Sequence, residues 1–143
     1  SNGGMDAVLL HYRPGETSFY ASANFKGFAQ VGDGFTELES DEASIGYRME
    51  SGEEAPSYRT LPLDLSQAAF LVIVSDGILD QKGGAKGLSL GRRRLKDLLE
   101  KALVDDAGSS RLDAPQLMSA IEQYQGNEEQ RDDMTLIVLS LVS

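Results

Sequence analysis

The stretch FLVIVSDGILDQKGG, residues 70–84, runs from an apolar strand straight into two carboxylates, Asp76 and Asp80, and a pair of glycines. The five apolar residues at 70–74 read as a strand buried on both faces. An acid where such a strand leaves the core is either turn chemistry or a ligand for something positive. A second stretch of the same kind, RDDMTLIVLSLV at 131–142, places Asp132 and Asp133 before its apolar residues instead of after them. If the two strands lie antiparallel in one sheet, their acids arrive at the same end. Two carboxylates about 4 Å apart repel by roughly 4 kcal/mol at an effective dielectric near 20, a large share of a domain's stability. A counter-charge is therefore expected between them. With no cysteine in the chain and no histidine nearby, the donors would all be oxygen, which suits hard cations such as Mn²⁺ or Mg²⁺ over zinc or copper. Gly77 would let the backbone approach such a site closely. The plainer reading stays open at this point: SDG can be an ordinary turn, and DD can simply solvate the start of a strand.

The remaining composition sets bounds. At 143 residues the chain is one domain's worth, able to bury roughly 70% of the surface its unfolded form exposes. With 41% hydrophobic and 25% charged residues it belongs with ordinary globular sequences. A net charge of −10 argues against nucleic acid, whose binding rests on lysine and arginine neutralising phosphates. No run of 18 apolar residues is present, so no membrane contact by this segment is expected. The lack of cysteine fits a reducing, cytoplasmic setting. The first methionine is residue 5 and strand-like sequence follows almost at once, as in a piece of a longer protein.

Two textures divide the chain. Residues 5–75 are strand-rich. MDAVLLHY puts Val8, Leu10 and Tyr12 on one face, RPGE is a turn, and TSFYASA alternates again, so an antiparallel hairpin is expected. FKGFAQV and FTELE flank GDG, a second hairpin whose glycines supply positive φ. Residues 40–56 are acidic and glycine-rich, a loop, and YRTLPLDL carries Pro62, which assigns it to a sheet edge. Residues 91–126 are helical. Leu95, Leu98, Leu99, Ala102 and Leu103 form one stripe. The second helix has Asp113 as N-cap, Gln116 to close a capping box, Leu112 and Leu117 as a hydrophobic staple, a core face of Leu117, Ala120, Ile121 and Tyr124, and Gly126 as its stop. Residues 134–142 form the last strand.

The motifs SDGILDQ, LGRRRL and GNEEQRDDMTLIVL, with GMDAVLL and ASIG upstream, resemble in order and spacing the C-terminal part of the bacterial SpoIIE/RsbU-type serine/threonine phosphatases of the metal-dependent PPM superfamily. The resemblance implies an α+β fold, an antiparallel β-sandwich flanked by helices. It implies that Asp76 and Asp132 bind Mn²⁺ or Mg²⁺, that two ions act in a complete domain, and that a metal-bound water attacks the phosphate of phosphoserine or phosphothreonine. Asp133 and Asp80 are secondary candidates, one beside the ligands and the other supporting an outer water. The implied substrate is a phosphorylated bacterial regulator such as an anti-sigma factor antagonist, in a partner-switching circuit. One departure stands out. Such enzymes also use an acid and an Asp-Gly pair from strands that precede the GMD region, and residues 1–4 offer nothing of the kind. Asp33-Gly34 lies in a hairpin turn, and Asn24 and Phe25 stand where some relatives place an acid for a third ion. The expectation is a domain lacking its N-terminal part, with weak or absent metal binding and no activity by this chain alone.

Other residues have plainer readings. His11, the sole histidine, alternates on a strand and reads as a surface residue. Arg92, Arg93 and Arg94 open a helix, where the helix dipole disfavours positive charge; they pair with the acidic excess or meet an acidic substrate surface. A non-catalytic binding module, a pseudophosphatase, is the alternative from another class, separated from the enzyme by whether upstream acids exist.

Overall fold

The computed structural model describes residues 7–14, 18–38, 61–63, 68–106 and 109–141. Along the chain come strands β1 (Ala7–His11), β2 (Ser18–Ala23), β3 (Phe25–Val31), β4 (Gly34–Glu37), β5 (Leu61–Leu63) and β6 (Phe70–Ser75). A one-turn helix α1 (Asp76–Leu79), the two-residue strands β7 (Lys82–Gly83) and β8 (Leu88–Ser89), and helix α2 (Gly91–Ala102) follow. Strands β9 (Leu103–Asp106) and β10 (Ser109–Leu112), helix α3 (Ala114–Gln125) and β11 (Leu136–Ser140) complete it. The acidic stretch 40–56, the GMD start and ASIG lie outside the described residues, as do the side-chain faces of β2.

Two antiparallel sheets carry the architecture, one ordered β1-β2-β5 and the other β11-β6-β3-β4. β6 has a neighbour on each side, and residues 70–74 are buried without exception. Both of its faces are covered, so the sequence shows an unbroken apolar run instead of an alternation. On one face Phe28, Val72 and Val74, joined by Leu136 and Val138, pack against Leu95, Leu99, Leu117 and Ile121 of the helices. On the other, Ala29, Leu71, Ile73 and Leu139 pack against Val8 and Leu10 of β1. Leu9 between them is 67% exposed, the period-two signature of a strand covered on one side.

The turns explain the topology. Val31 pairs with Gly34, leaving a two-residue turn in which Gly32 alone takes a positive φ, 60°. That is the φ pattern of a type II′ hairpin, so one glycine serves the turn where two were expected. Pro62 sits in β5, at the edge of its sheet, where its missing N–H costs nothing. The chain passes from one sheet to the other through a single residue, Asn24, at φ 61°, a conformation asparagine tolerates better than most.

In the helical part, α2 buries Leu95, Leu99 and Ala102, but Leu103 leaves the helix to open the β9–β10 hairpin, which the sequence reading missed. At α3 the Asp113 side chain accepts from Gln116 N at 3.1 Å, as expected of an N-cap. The reciprocal half of the box is absent. Asp113 N already donates to Ala102 O at 2.8 Å, and the Gln116 amide reaches Lys101 O at 3.3 Å, so these groups tie α3 to the end of α2. Gly126 ends α3 at φ 56°. The last strand begins at Leu136, two residues later than read, although Met134 still packs on the core.

Asp113→Ala should lower stability by about 1 kcal/mol, with Asp113→Asn nearly neutral because its side-chain oxygen still caps. Urea denaturation of the three proteins checks this.

Candidate functional site

Strand register fixes where the acids lie. Leu136 pairs with Val74, so the next residues outward, Thr135 and Ser75, face each other. Ser75 N donates to Thr135 O at 3.0 Å and Thr135 N donates to Ser75 Oγ at 2.9 Å. The same hydroxyl donates to Asp133 O at 3.4 Å. One serine therefore clips the end of β6 to the start of β11. Asp76 follows directly as the first residue of α1, and Asp132 and Asp133 lie just upstream of β11, so the three acids share one end of the sheet. Asp76 is half-buried, while Asp132 and Asp133 are exposed. The Asp132 carboxylate accepts from Asp133 N at 2.7 Å, and its backbone carbonyl accepts from the Gln130 amide at 3.0 Å.

Gly77 makes this approach sterically available. A Cβ there would overlap the carbonyl oxygen of Asp133 and come within 3.0 Å of its carbon. No residue with a side chain fits unless the 132–133 segment withdraws. The later glycines of the motif serve another contact: a Cβ at Gly83 would overlap the carbonyl oxygen of Tyr124, to which Gly84 N donates at 2.8 Å. Tyr124 in turn donates its hydroxyl to Leu88 O at 2.7 Å. Between these contacts lies Gln81, 2% exposed. Its Nε2 donates to Lys82 O at 2.9 Å and to Glu129 O at 3.0 Å, and its backbone carbonyl accepts from Leu90 N at 2.8 Å. Gln81 thereby ties the segment leading to Asp132 to the loop leaving α1. Sequence reading included it in the SDGILDQ motif but gave it no role of its own.

On the other side of β6, Phe25 pairs with Ser75 and Lys26 with Val74. Asn24 thus comes beside Asp76, and an open cleft of about 380 Å³ forms between the sheet end and the start of α2, lined by Asn24, Lys26, Asp76, Asp80, Gly91 and Arg92 among others. Asp80 is exposed at the end of α1, its N–H donating to Asp76 O at 2.8 Å. Asp132 and Asp133 do not line this cleft. Among the described residues no three or more His, Cys, Asp or Glu converge as a metal-holding group. The arginines diverge. Arg92 pairs with Glu37 at 3.1 Å, Arg93 is exposed near Lys96, and Arg94 donates to Ser89 O and Leu90 O at 3.3 and 3.5 Å, with its guanidinium 5.9 Å from the Tyr124 ring centre. Asp33 lies in the turn beyond Val31, at the far end of seven-residue β3 from Asp76. His11 is at the end of β1 remote from Asn24.

A family model for stage II sporulation protein E, SpoIIE, matches residues 6–142. The chain belongs to the SpoIIE family. Among solved structures it is similar to the SiaA-PP2C domain of Pseudomonas aeruginosa, with 27% identity and a TM-score of 0.67 over 88% of this chain and 47% of that one. It is also similar to the phosphatase domain of SpoIIE from Bacillus subtilis, presoaked with Mn, with 15% identity and a TM-score of 0.58 over 95% and 56% of the two chains. The SpoIIE-family chain thus has a PP2C-type α+β fold of antiparallel sheets and helices, and it spans about half the length of these solved relatives. Comparison with curated proteins gives no match.

Gly77→Ala should cost about 3 kcal/mol or more, since backbone must move to admit the methyl group. Ser75→Ala should cost about 1–2 kcal/mol by leaving Thr135 N unpaired. Denaturant melts give both values, and wild-type stability for Gly77→Ala would refute the close approach.

Proposed function

We infer that this SpoIIE-family chain contributes Asp76 and Asp132 as ligands for Mn²⁺ or Mg²⁺ in a serine/threonine protein phosphatase domain. The observation that carries the reading is the antiparallel β6–β11 register, which brings two acids from distant sequence to one sheet end. The donor set fits. Magnesium-like ions keep several waters and need one or two carboxylates, and the Asp76 and Asp132 side chains are all-oxygen donors. When bound, such ions supply a nucleophilic water and charge stabilisation for in-line attack on a phosphate ester. The chain's own residues hold and orient: Ser75 and Gly77 set the spacing of β6 against the 132–133 segment, and Gln81 holds that segment from behind. In this reading Asp133 lies beside the ligands and Asp80 supports an outer water. The substrate in this reading is a phosphoserine or phosphothreonine protein, of the kind of a phosphorylated anti-sigma factor antagonist, in the cytoplasm. No helix among the described residues is long and apolar enough to cross a membrane.

Calorimetry should show saturable Mn²⁺ binding that Asp76→Ala with Asp132→Ala abolishes. A free ion at a hundred times its Kd should add about 2.7 kcal/mol of stability. In EDTA the sign reverses for one variant: Asp132→Asn should raise the melting temperature, because it removes like charge while keeping the oxygen that accepts from Asp133 N. A neutral or lowered value would make Asp132 a local cap. Two carboxylates alone hold an ion weakly, so the 143 residues by themselves should not hydrolyse p-nitrophenyl phosphate or a phosphoserine protein above background at millimolar Mn²⁺. Turnover by them that Asp76→Ala abolishes would show that another acid completes the site; saturable metal binding without turnover by the whole protein would make it a binding module.

A further inference from the structure

We propose that Gln81 is a positioning residue whose buried amide sets the metal affinity of Asp132, an inference that rests on the reading of Asp132 as a ligand. Residues 129–133 belong to neither helix nor strand, and every one of them is exposed. The ladder with β6 begins beyond them, at Thr135 and Leu136. Such a segment has little to fix it, and water competes for any bond made on its outer side. Two inward contacts bracket Asp132. On one side the backbone carbonyl of Asp133 accepts from Ser75 Oγ at 3.4 Å and fills the space a side chain at Gly77 would need. On the other the carbonyl of Glu129 accepts from Gln81 Nε2 at 3.0 Å. Gln81 is almost wholly buried, so its bond is made where solvent competes least.

The two ends of this amide are treated differently. Carbonyl oxygens of Lys82 and Glu129 lie 2.9 and 3.0 Å from Nε2, so the NH₂ group must face them and Oε1 must face away. Oε1 is buried with no hydrogen-bond partner among the described residues. A buried acceptor without a protein partner is either left bare or given an internal water that must be immobilised, and both cost free energy. Methionine, of similar length and without the oxygen, would fill the space free of that cost. Gln30, the other buried glutamine among the described residues, shows what a purely structural one looks like: it donates to Gly32 O and accepts from Ala69 N, so both ends are used. What only an amide provides at residue 81 is its donated bonds. One goes to the next residue in the chain, and the other reaches a carbonyl 48 residues away on the approach to Asp132. Holding that approach is therefore what the glutamine adds.

Position and stability can be measured apart. In the full chain, Gln81→Met should keep a urea midpoint near that of the wild type, because loss of the donated bonds is offset by removal of the unpaired oxygen. The same variant should weaken Mn²⁺ binding in calorimetry about tenfold or more, the usual effect of losing a group that holds a ligand in place. Gln81→Asn, whose amide falls one methylene short of Glu129 O, should weaken it similarly, and it decides the matter if the methionine variant unfolds. Gln30→Met is the control and should do the opposite, lowering the urea midpoint and leaving Mn²⁺ affinity unchanged. A readout without metal comes from NMR relaxation in EDTA. Backbone amide order parameters at 129–133 should fall from about 0.85 in the wild type to about 0.6 or below in the Gln81 variants, with those of β11 unchanged. Asp76→Ala with Asp132→Ala tests the ligands by themselves: a Mn²⁺ heat that is absent from the wild type, or that survives this double variant, refutes the metal reading, and the order parameters then decide on Gln81 alone. The proposal is overturned if both Gln81 variants keep wild-type Mn²⁺ affinity, or if the order parameters at 129–133 stay those of the wild type.

Discussion

The carbonyl oxygen of Asp133 occupies the space that a side chain at residue 77 would need. Almost everything about this end of the molecule follows from that contact. Because residue 77 is glycine, the segment before β11 can lie against the start of α1, and β11 can reach β6 with Thr135 opposite Ser75. Asp76 on one side of the contact and Asp132 on the other are then near each other whatever their side chains do. A larger residue at position 77 would separate the acids without touching either of them.

The contact is held from behind by polar groups that the core has closed over. Gln81 spends its amide on Lys82 O and Glu129 O, and Gly83 and Gly84 seat the next turn on Tyr124. Bonds of this kind add modestly to stability when made and cost more when one partner is removed. They favour one arrangement over its neighbours. The loop after α1, the end of α3 and the approach to Asp132 are consequently one unit, so the segment that precedes β11 is held by a side chain 48 residues from the carbonyl it bonds.

Much of this was legible before any coordinates. Residues 70–74 and the apolar run after Asp133 announced two paired strands, of which β6 is central while β11, read as central too, lies at the edge of its sheet among the described residues; the order of acids around them predicted a shared end if the pairing was antiparallel, as it is. Asp113 and Gly126 marked α3 correctly because caps are local. What could not be read depends on register and tertiary contact. Periodicity tells which face Lys26 shares with Phe28, but not that this face opens beside Asp76 and Arg92. The three arginines look like one patch in sequence and take three different directions, because successive helical residues are about 100° apart. Gln116 satisfied the pattern of a capping box, yet Asp113 N was already bonded to Ala102 O. The β9–β10 hairpin was hidden by Leu103, which continued the helical stripe one residue past the point where the helix ends.

Charge ties the site to the rest of the molecule. The chain carries −10 overall, a field that opposes the approach of any phosphate, yet the cleft beside Asp76 presents Lys26 and Arg92. The two effects act over different ranges. At physiological salt the general field is screened beyond about 8 Å, whereas contacts inside a partly enclosed cleft are screened far less. The same acidic surface would make a divalent cation easier to recruit to Asp76 and Asp132, the ligands proposed above. On the phosphatase reading metal and phosphate binding would be coupled, each raising the affinity for the other by the same factor, as linkage requires of any two sites that share a field.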